Sequence, residues 1–235
     1  QRQMCIRDRV LDNHIAALTD HLVICQKLQL VDEGNDTIKK LNKLKEQFTD
    51  RQVEIFNKSV SSLVPFFIST GQFEKAMEIE GKTMECLKDI QIETTVRVRI
   101  YCAYASMYLQ LKDYDKVLNW HNLFHEDKLG QAHVRHQVTM NCIAVATHFE
   151  LGNETVVESM ARSCERQLSG MTIQVKIEKA FLRFLCNGLY DLPSRKEWAA
   201  FADNLITLNK RAEREDKFDF LEYFDFAEWT PQRAV

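Results

Sequence analysis

Among the residues of this chain suited to chemistry, two histidines share a telling spacing. In "HNLFH", His121 and His125 stand at i and i+4 on one face of a helix, a separation at which two imidazoles can hold one zinc ion. His133 and His136 follow a short loop later. A zinc protease would carry a glutamate directly after the first histidine; here Asn122 occupies that place. His121 also falls on the apolar stripe of Val117, Leu118 and Phe124, which reads it as a packing residue. The expectation is packed or surface histidines and no metal site, with zinc as the alternative the spacing allows.

Nucleophilic catalysis finds no frame. The chain has no Gly-x-Ser-x-Gly elbow and no glycine-rich phosphate loop. Cys142 could pair with His148, but a chain with this many cysteines and histidines offers such pairs anywhere. The expectation is no catalytic residue, no cofactor and no enzyme. Cys25, Cys86, Cys102, Cys142, Cys164 and Cys186 are scattered without a Cys-x-x-Cys, mostly among apolar residues. They read as buried free thiols of a reducing compartment, hence a cytoplasmic protein.

Charge narrows the partners. The formal net charge of −3 argues against generic nucleic-acid binding. No apolar run approaches the roughly 18 residues of a membrane span. In "KKLNKLKEQF", Lys39, Lys40, Lys43 and Lys45 line the polar side of one helix, as a solvated face or as a docking patch for an acidic partner. "KFDFLEYFDFAEW" crowds Phe218, Phe220, Tyr223, Phe224, Phe226 and Trp229 together. It reads as a C-terminal capping helix and tail over 214–235, or as an exposed docking segment through Phe218, Phe220, Tyr223, Phe224 and Trp229.

The first nine residues stand apart. "QRQMCIRDR" resembles the translation of a transposon-end sequencing adapter. On that reading residues 1–9 are not structural and should not pack. What lies upstream of residue 10, a signal peptide included, is then open. These nine carry Arg2, Arg7 and Arg9 against Asp8, so the remainder is more acidic than the whole.

The elements that must position these residues are helices. Three Pro and 7 Gly in 235 residues are too few for a turn-rich β-fold. In "IYCAYASMYLQL", Tyr101, Tyr104, Ala105, Tyr108 and Leu111 form one helical stripe, and a second stripe opens after "KDY". A tight turn between two such stripes makes an antiparallel hairpin. Gly71, Lys112 and Gly152 occupy equivalent turn positions, followed two residues on by Phe73, Tyr114 and Glu154, and three further by Ala76, Val117 and Val157. A period of about 40 residues predicts stacked helix pairs. Ala76 and Ala105 should be buried where helices approach closely. Upstream, a helix from Asp12 to about Val31 should turn at "DEGND", with Asp36 or Thr37 capping the next helix and Ile38, Leu41, Leu44 and Phe48 on one of its faces. Downstream, Thr172 to Cys186 is helical, "NGLYDLPS" is a longer turn, and Ser194 with Glu197 should form a capping box. Pro65 should kink or end its helix.

These hairpins resemble tetratricopeptide repeats. Tyr101, Tyr104, Ala105 and Tyr108 match that family's first-helix packing positions, and Tyr114 with Val117 match the opening of its second helix. Leu63, Phe67, Gly71, Phe73 and Ala76 carry a second match. In the third copy Glu154 replaces the aromatic. The resemblance implies an all-α, right-handed α-α superhelix of stacked antiparallel helix pairs, about five of them, over residues 10–213. It also implies a concave partner-binding face of first-helix residues: Lys58, Ser61 and Ser62, then Arg99, Cys102 and Ser106, then Thr139, Cys142 and Ala146. That face would accept a protein or peptide segment by shape, with weak charge dependence. The expected function is a non-catalytic binding scaffold. A sensor half of a transcriptional or signalling regulator, its output domain upstream, is the alternative.

Overall fold

The computed structural model describes residues 2–88, 92–127, 134–169, 176–189, 193–213 and 229, with the backbone alone at 2–8, 134–136, 176 and 209–213. Every regular element among them is helical. The helices are α1 (Arg2–Lys27), α2 (Val31–Gln47), α3 (Gln52–Ser69), α4 (Phe73–Leu87), α5 (Thr94–Gln110), α6 (Tyr114–Glu126), α7 (Val134–Glu150), α8 (Glu154–Ser169), α9 (Lys176–Gly188) and α10 (Arg195–Glu213), with a 3₁₀ turn at Thr49–Arg51. They divide into two compact units, residues 1–100 and 101–235.

The helix pairs are made by one repeated turn. Gln29, Gly71, Lys112 and Gly152 all adopt left-handed backbone, with φ of 55°, 70°, 59° and 71°. At each, the next amide reaches back five residues: Leu30 to the Cys25 carbonyl (2.9 Å), Gln72 to Phe67 (2.7 Å), Asp113 to Tyr108 (2.9 Å) and Asn153 to His148 (2.9 Å). The left-handed residue's own amide bonds three back, at 3.1–3.2 Å. This double bond is a Schellman close, which uses carbonyls the helix end leaves orphaned. Its recurrence at four sites is the structural counterpart of the sequence period.

The fourth site corrects the sequence reading. The first turn falls at Gln29, and "DEGND" lies inside α2. Asp36 and Thr37 are therefore interior helix residues: Asp36 accepts from the Lys39 ammonium, and Thr37 donates to the Glu33 carbonyl. Gly34 serves packing instead of turning. A Cβ built on it would lie 2.2 Å from two ring atoms of Phe66, so only glycine lets α2 approach α3 this closely. Five residues past each left-handed residue stands a buried position: Gly34, Ala76, Val117 and Val157. Ala105 is buried as well. Pro65 does not end its helix, since α3 runs through it to Ser69. It is buried, with six of its α3 neighbours from Ser62 to Ile68, and this burial outweighs the roughly 3 kcal/mol a proline costs in a helix.

In the first unit α1 packs on both α2 and α3, and α3 on α4. The α1 stripe is Leu11, Ile15, Leu18, Leu22 and Cys25, in steps of four and three. Val10 is 63% exposed, and the side chains of residues 1–8 lie outside the described residues. In the second unit Trp120 of α6 stacks on Tyr104 of α5 (centroids 4.6 Å apart, 4° between planes), while Tyr101 meets Trp120 and Phe124 edge-on. α7 packs on α6, α8 and α9, and α9 on α10. Ser194 and Glu197 form the expected capping box, with the Ser194 amide and hydroxyl both donating to the carboxylate at 2.8 and 2.7 Å.

Helices of the two kinds differ in burial. α2, α6 and α8 bury narrow stripes, such as Val157, Ala161, Cys164 and Leu168 on α8. On α7 every residue from Cys142 to Thr147 is buried. Six successive residues at 100° each sweep the whole helix circumference, so that stretch has no solvent face.

Gly34→Ala should destabilise the protein by about 1–3 kcal/mol in denaturant titration, because the new methyl overpacks Phe66. In a helix free of such a contact the same change would stabilise by about 1 kcal/mol. A neutral or stabilising result would show that α2 and α3 do not meet here.

Candidate functional site

The concave-face residues are mostly inaccessible. Ser62, Cys102, Ser106, Thr139, Cys142 and Ala146 are at most 5% exposed. Ser61 and Arg99 are half-buried. Lys58 is exposed, but its ammonium bridges Asp12 and Glu54 at 2.7 Å each. Arg51 and Lys58 together hold the Glu54 carboxyl at a pKa of about 2. The period sets where a residue lies along its helix but not whether another element covers it, and α7 is covered all round from Cys142 to Thr147. Of the aromatic docking segment, Phe218, Phe220, Tyr223 and Phe224 lie outside the described residues. Trp229 is 5% exposed and packs edge-on against Phe181 and Trp198 at 6.0 and 5.9 Å.

An open cleft of about 850 Å³ lies elsewhere, in the first unit, between α2 and α4 with α3 as its floor. Leu63 and Phe67 are its buried base, and Phe56, Ile38 and Ile79 are half-buried walls. Asp32, Asp36 and Lys39 stand at one rim, with Asp36 and Lys39 paired at 2.7 Å. Lys75 reaches Asn35 Oδ1 at 3.0 Å and lies 5.8 Å from the Phe67 ring centroid.

Lys45 and Lys82 are the unusual pair. Lys45 sits half-buried with its Nζ 5.3 Å over the Phe56 ring. Burial pushes its pKa down, and the nearby Lys82 ammonium pushes it further the same way. A cation drawn out of water beside a second cation is costly unless an anion arrives. The lysine run contained this signal at Lys45, but Lys82 and Phe56 are far from it in sequence, so the constellation needed the fold.

A second cleft, of about 750 Å³, lies between α8 and α9. Its Arg162 and Arg183 are already paired with Glu158 and Glu165, and among the described residues no aromatic or aliphatic side chain lines it.

The histidines are drawn together. His121 and His125 Nε2 lie 3.1 Å apart, and both approach Asn141 Oδ1 on α7, at 3.1 and 3.2 Å. Burial lowers the His121 pKa to about 4, so its imidazole is neutral. The side chains of His133 and His136 lie outside the described residues. Among the described residues no three His, Cys, Asp or Glu side chains converge to hold a metal. Cys25, Cys86, Cys102, Cys142 and Cys164 are buried and free, and Cys186 is half-buried. Burial raises the Cys102 thiol to about 12 and the Cys164 thiol to about 11, values that make poor nucleophiles.

Among the described residues no helix is long and apolar enough to cross a membrane. No protein-family model, no curated protein and no solved structure matches the chain.

Lys45→Met should stabilise the fold by roughly 0.5–2 kcal/mol, the scale of relieving one unfavourable surface feature. The sign follows from the depressed pKa. A lysine that holds its proton less tightly when folded opposes folding at neutral pH, and that opposition fades as pH rises toward the lysine range. Urea titration of both proteins at neutral pH measures it; a less stable variant would mean that Lys45 has a compensating partner.

Proposed function

We propose that the chain is a non-catalytic helical-repeat scaffold that binds an acidic segment of another protein in the α2–α4 cleft. The observation that carries this reading is the Lys45–Lys82 pair above an apolar floor. An anion there offsets the desolvated cation, and an aromatic or aliphatic side chain beside it fills the space over Leu63 and Phe67. Each unit fits a piece of a tetratricopeptide-like array, whose hairpins expose grooves between successive helix pairs. A right-handed superhelix is the larger arrangement this reading implies. The buried free thiols suit a reducing, cytoplasmic setting, and neither nucleic acid nor membrane is part of the reading.

The binding mode differs from the shape-led concave groove the repeat resemblance implies. Here one end of the site is charged, so screening matters. Shortening the Debye length from about 10 Å to about 3 Å should weaken binding clearly.

Peptides bearing one aromatic and two or three acidic residues, selected from a displayed library on the full chain, supply the probe. Fluorescence anisotropy should show their affinity falling with salt, and falling roughly tenfold, about 1.4 kcal/mol, in Lys45→Glu with Lys82→Glu. Circular dichroism checks that the variant is folded. Selected peptides that bind the folded variant as tightly as the parent would overturn the assignment.

A further inference from the structure

We propose that His121, His125 and Asn141 form a binding site for a divalent transition-metal ion such as Zn²⁺, Co²⁺ or Ni²⁺. The site lies in the second unit, between α6 and α7, and is independent of the α2–α4 cleft.

Three polar atoms form a triangle whose edges hydrogen bonding cannot all satisfy with the rings so turned. Its corners are His121 Nε2, His125 Nε2 and Asn141 Oδ1, with edges of 3.1, 3.1 and 3.2 Å. The amide oxygen only accepts, so each imidazole must donate to satisfy its edge to Asn141. Two donating nitrogens then face each other across the third edge. If one imidazole is left unprotonated, its lone pair faces the amide oxygen. Turning the amide over does not help: both imidazoles would accept from Nδ2, and their lone pairs would meet. With the two rings turned as they are, every choice of tautomer and amide orientation sets like against like on one edge.

A cation just off the plane of the triangle satisfies all three corners at once. Ligands of a tetrahedral zinc at 2.0–2.1 Å stand about 3.3 Å apart, close to the observed edges. The i, i+4 spacing on α6 brings the two imidazoles together, and α7 supplies the third corner. Two imidazoles and a carbonyl oxygen suit borderline ions better than Mg²⁺ or Ca²⁺. The fourth position of a tetrahedron remains for water or a further ligand.

The test is a Co²⁺ and Zn²⁺ titration of the full chain prepared without a polyhistidine tag, followed by calorimetry and, for Co²⁺, by visible absorption. One saturable equivalent is expected. His125→Ala should bind at least tenfold more weakly, since loss of an outer-shell partner alone costs about 10–100-fold. His125 is exposed, so this variant should keep the fold. Asn141→Ala should weaken binding while a His133→Ala, His136→Ala double variant retains it. Absence of saturable binding, or equal affinity in folded His125→Ala, overturns the proposal.

Discussion

Much of this molecule depends on a left-handed residue at the end of a helix. Once Gln29, Gly71, Lys112 or Gly152 takes positive φ, the following amide must reach the carbonyl five residues back, and the chain reverses. The reversal places a buried position five residues on, at Gly34, Ala76, Val117 and Val157, and at Gly34 it lets α2 approach Phe66 of α3. A single hairpin leaves apolar surface on both helices, so each pair needs the next to complete its core. The conformational cost is uneven. Glycine takes this backbone freely, whereas Gln29 and Lys112 carry a penalty of about 1–2 kcal/mol, which the two cap bonds and the packing must offset.

How much of this could be read beforehand follows from the same physics. Gly71 and Gly152 announce a left-handed turn by residue type, and Lys112 was found because it keeps their spacing. Gln29 has no such signature, and Gly34 drew the first turn five residues too far along. Glycine serves both turning and close approach, and only the Phe66 ring, 32 positions away, tells which applies. The capping box at Ser194 was legible because both partners lie within one helical turn. Sequence spacing runs the α6 stripe through Val117, Leu118, His121 and Phe124 and so leaves out Trp120, the centre of the α5–α6 aromatic cluster.

Site residues were harder, for a related reason. Periodicity ranks positions along a helix, but accessibility depends on which helices lie on either side. α7 is buried over consecutive residues, so Thr139, Cys142 and Ala146 contribute to the core. The places that break local rules are elsewhere: a half-buried lysine beside another lysine, and two imidazoles and an amide that no arrangement of protons reconciles. Each is a cost that packing alone does not require, which is why each is read as a place where a ligand belongs.

Four turns share one hydrogen-bonded close, and amide exchange tests this most directly. The amides of Leu30, Gln72, Asp113 and Asn153 lie three residues past the end of a helix, where an ordinary loop amide exchanges at nearly the rate of an unfolded chain. Each should instead be protected to a degree comparable with the last full turn of its helix, including Gln29's neighbour Leu30, for which no glycine helps. Free exchange at Leu30 and Asp113, with protection confined to the two glycine turns, would contradict the account.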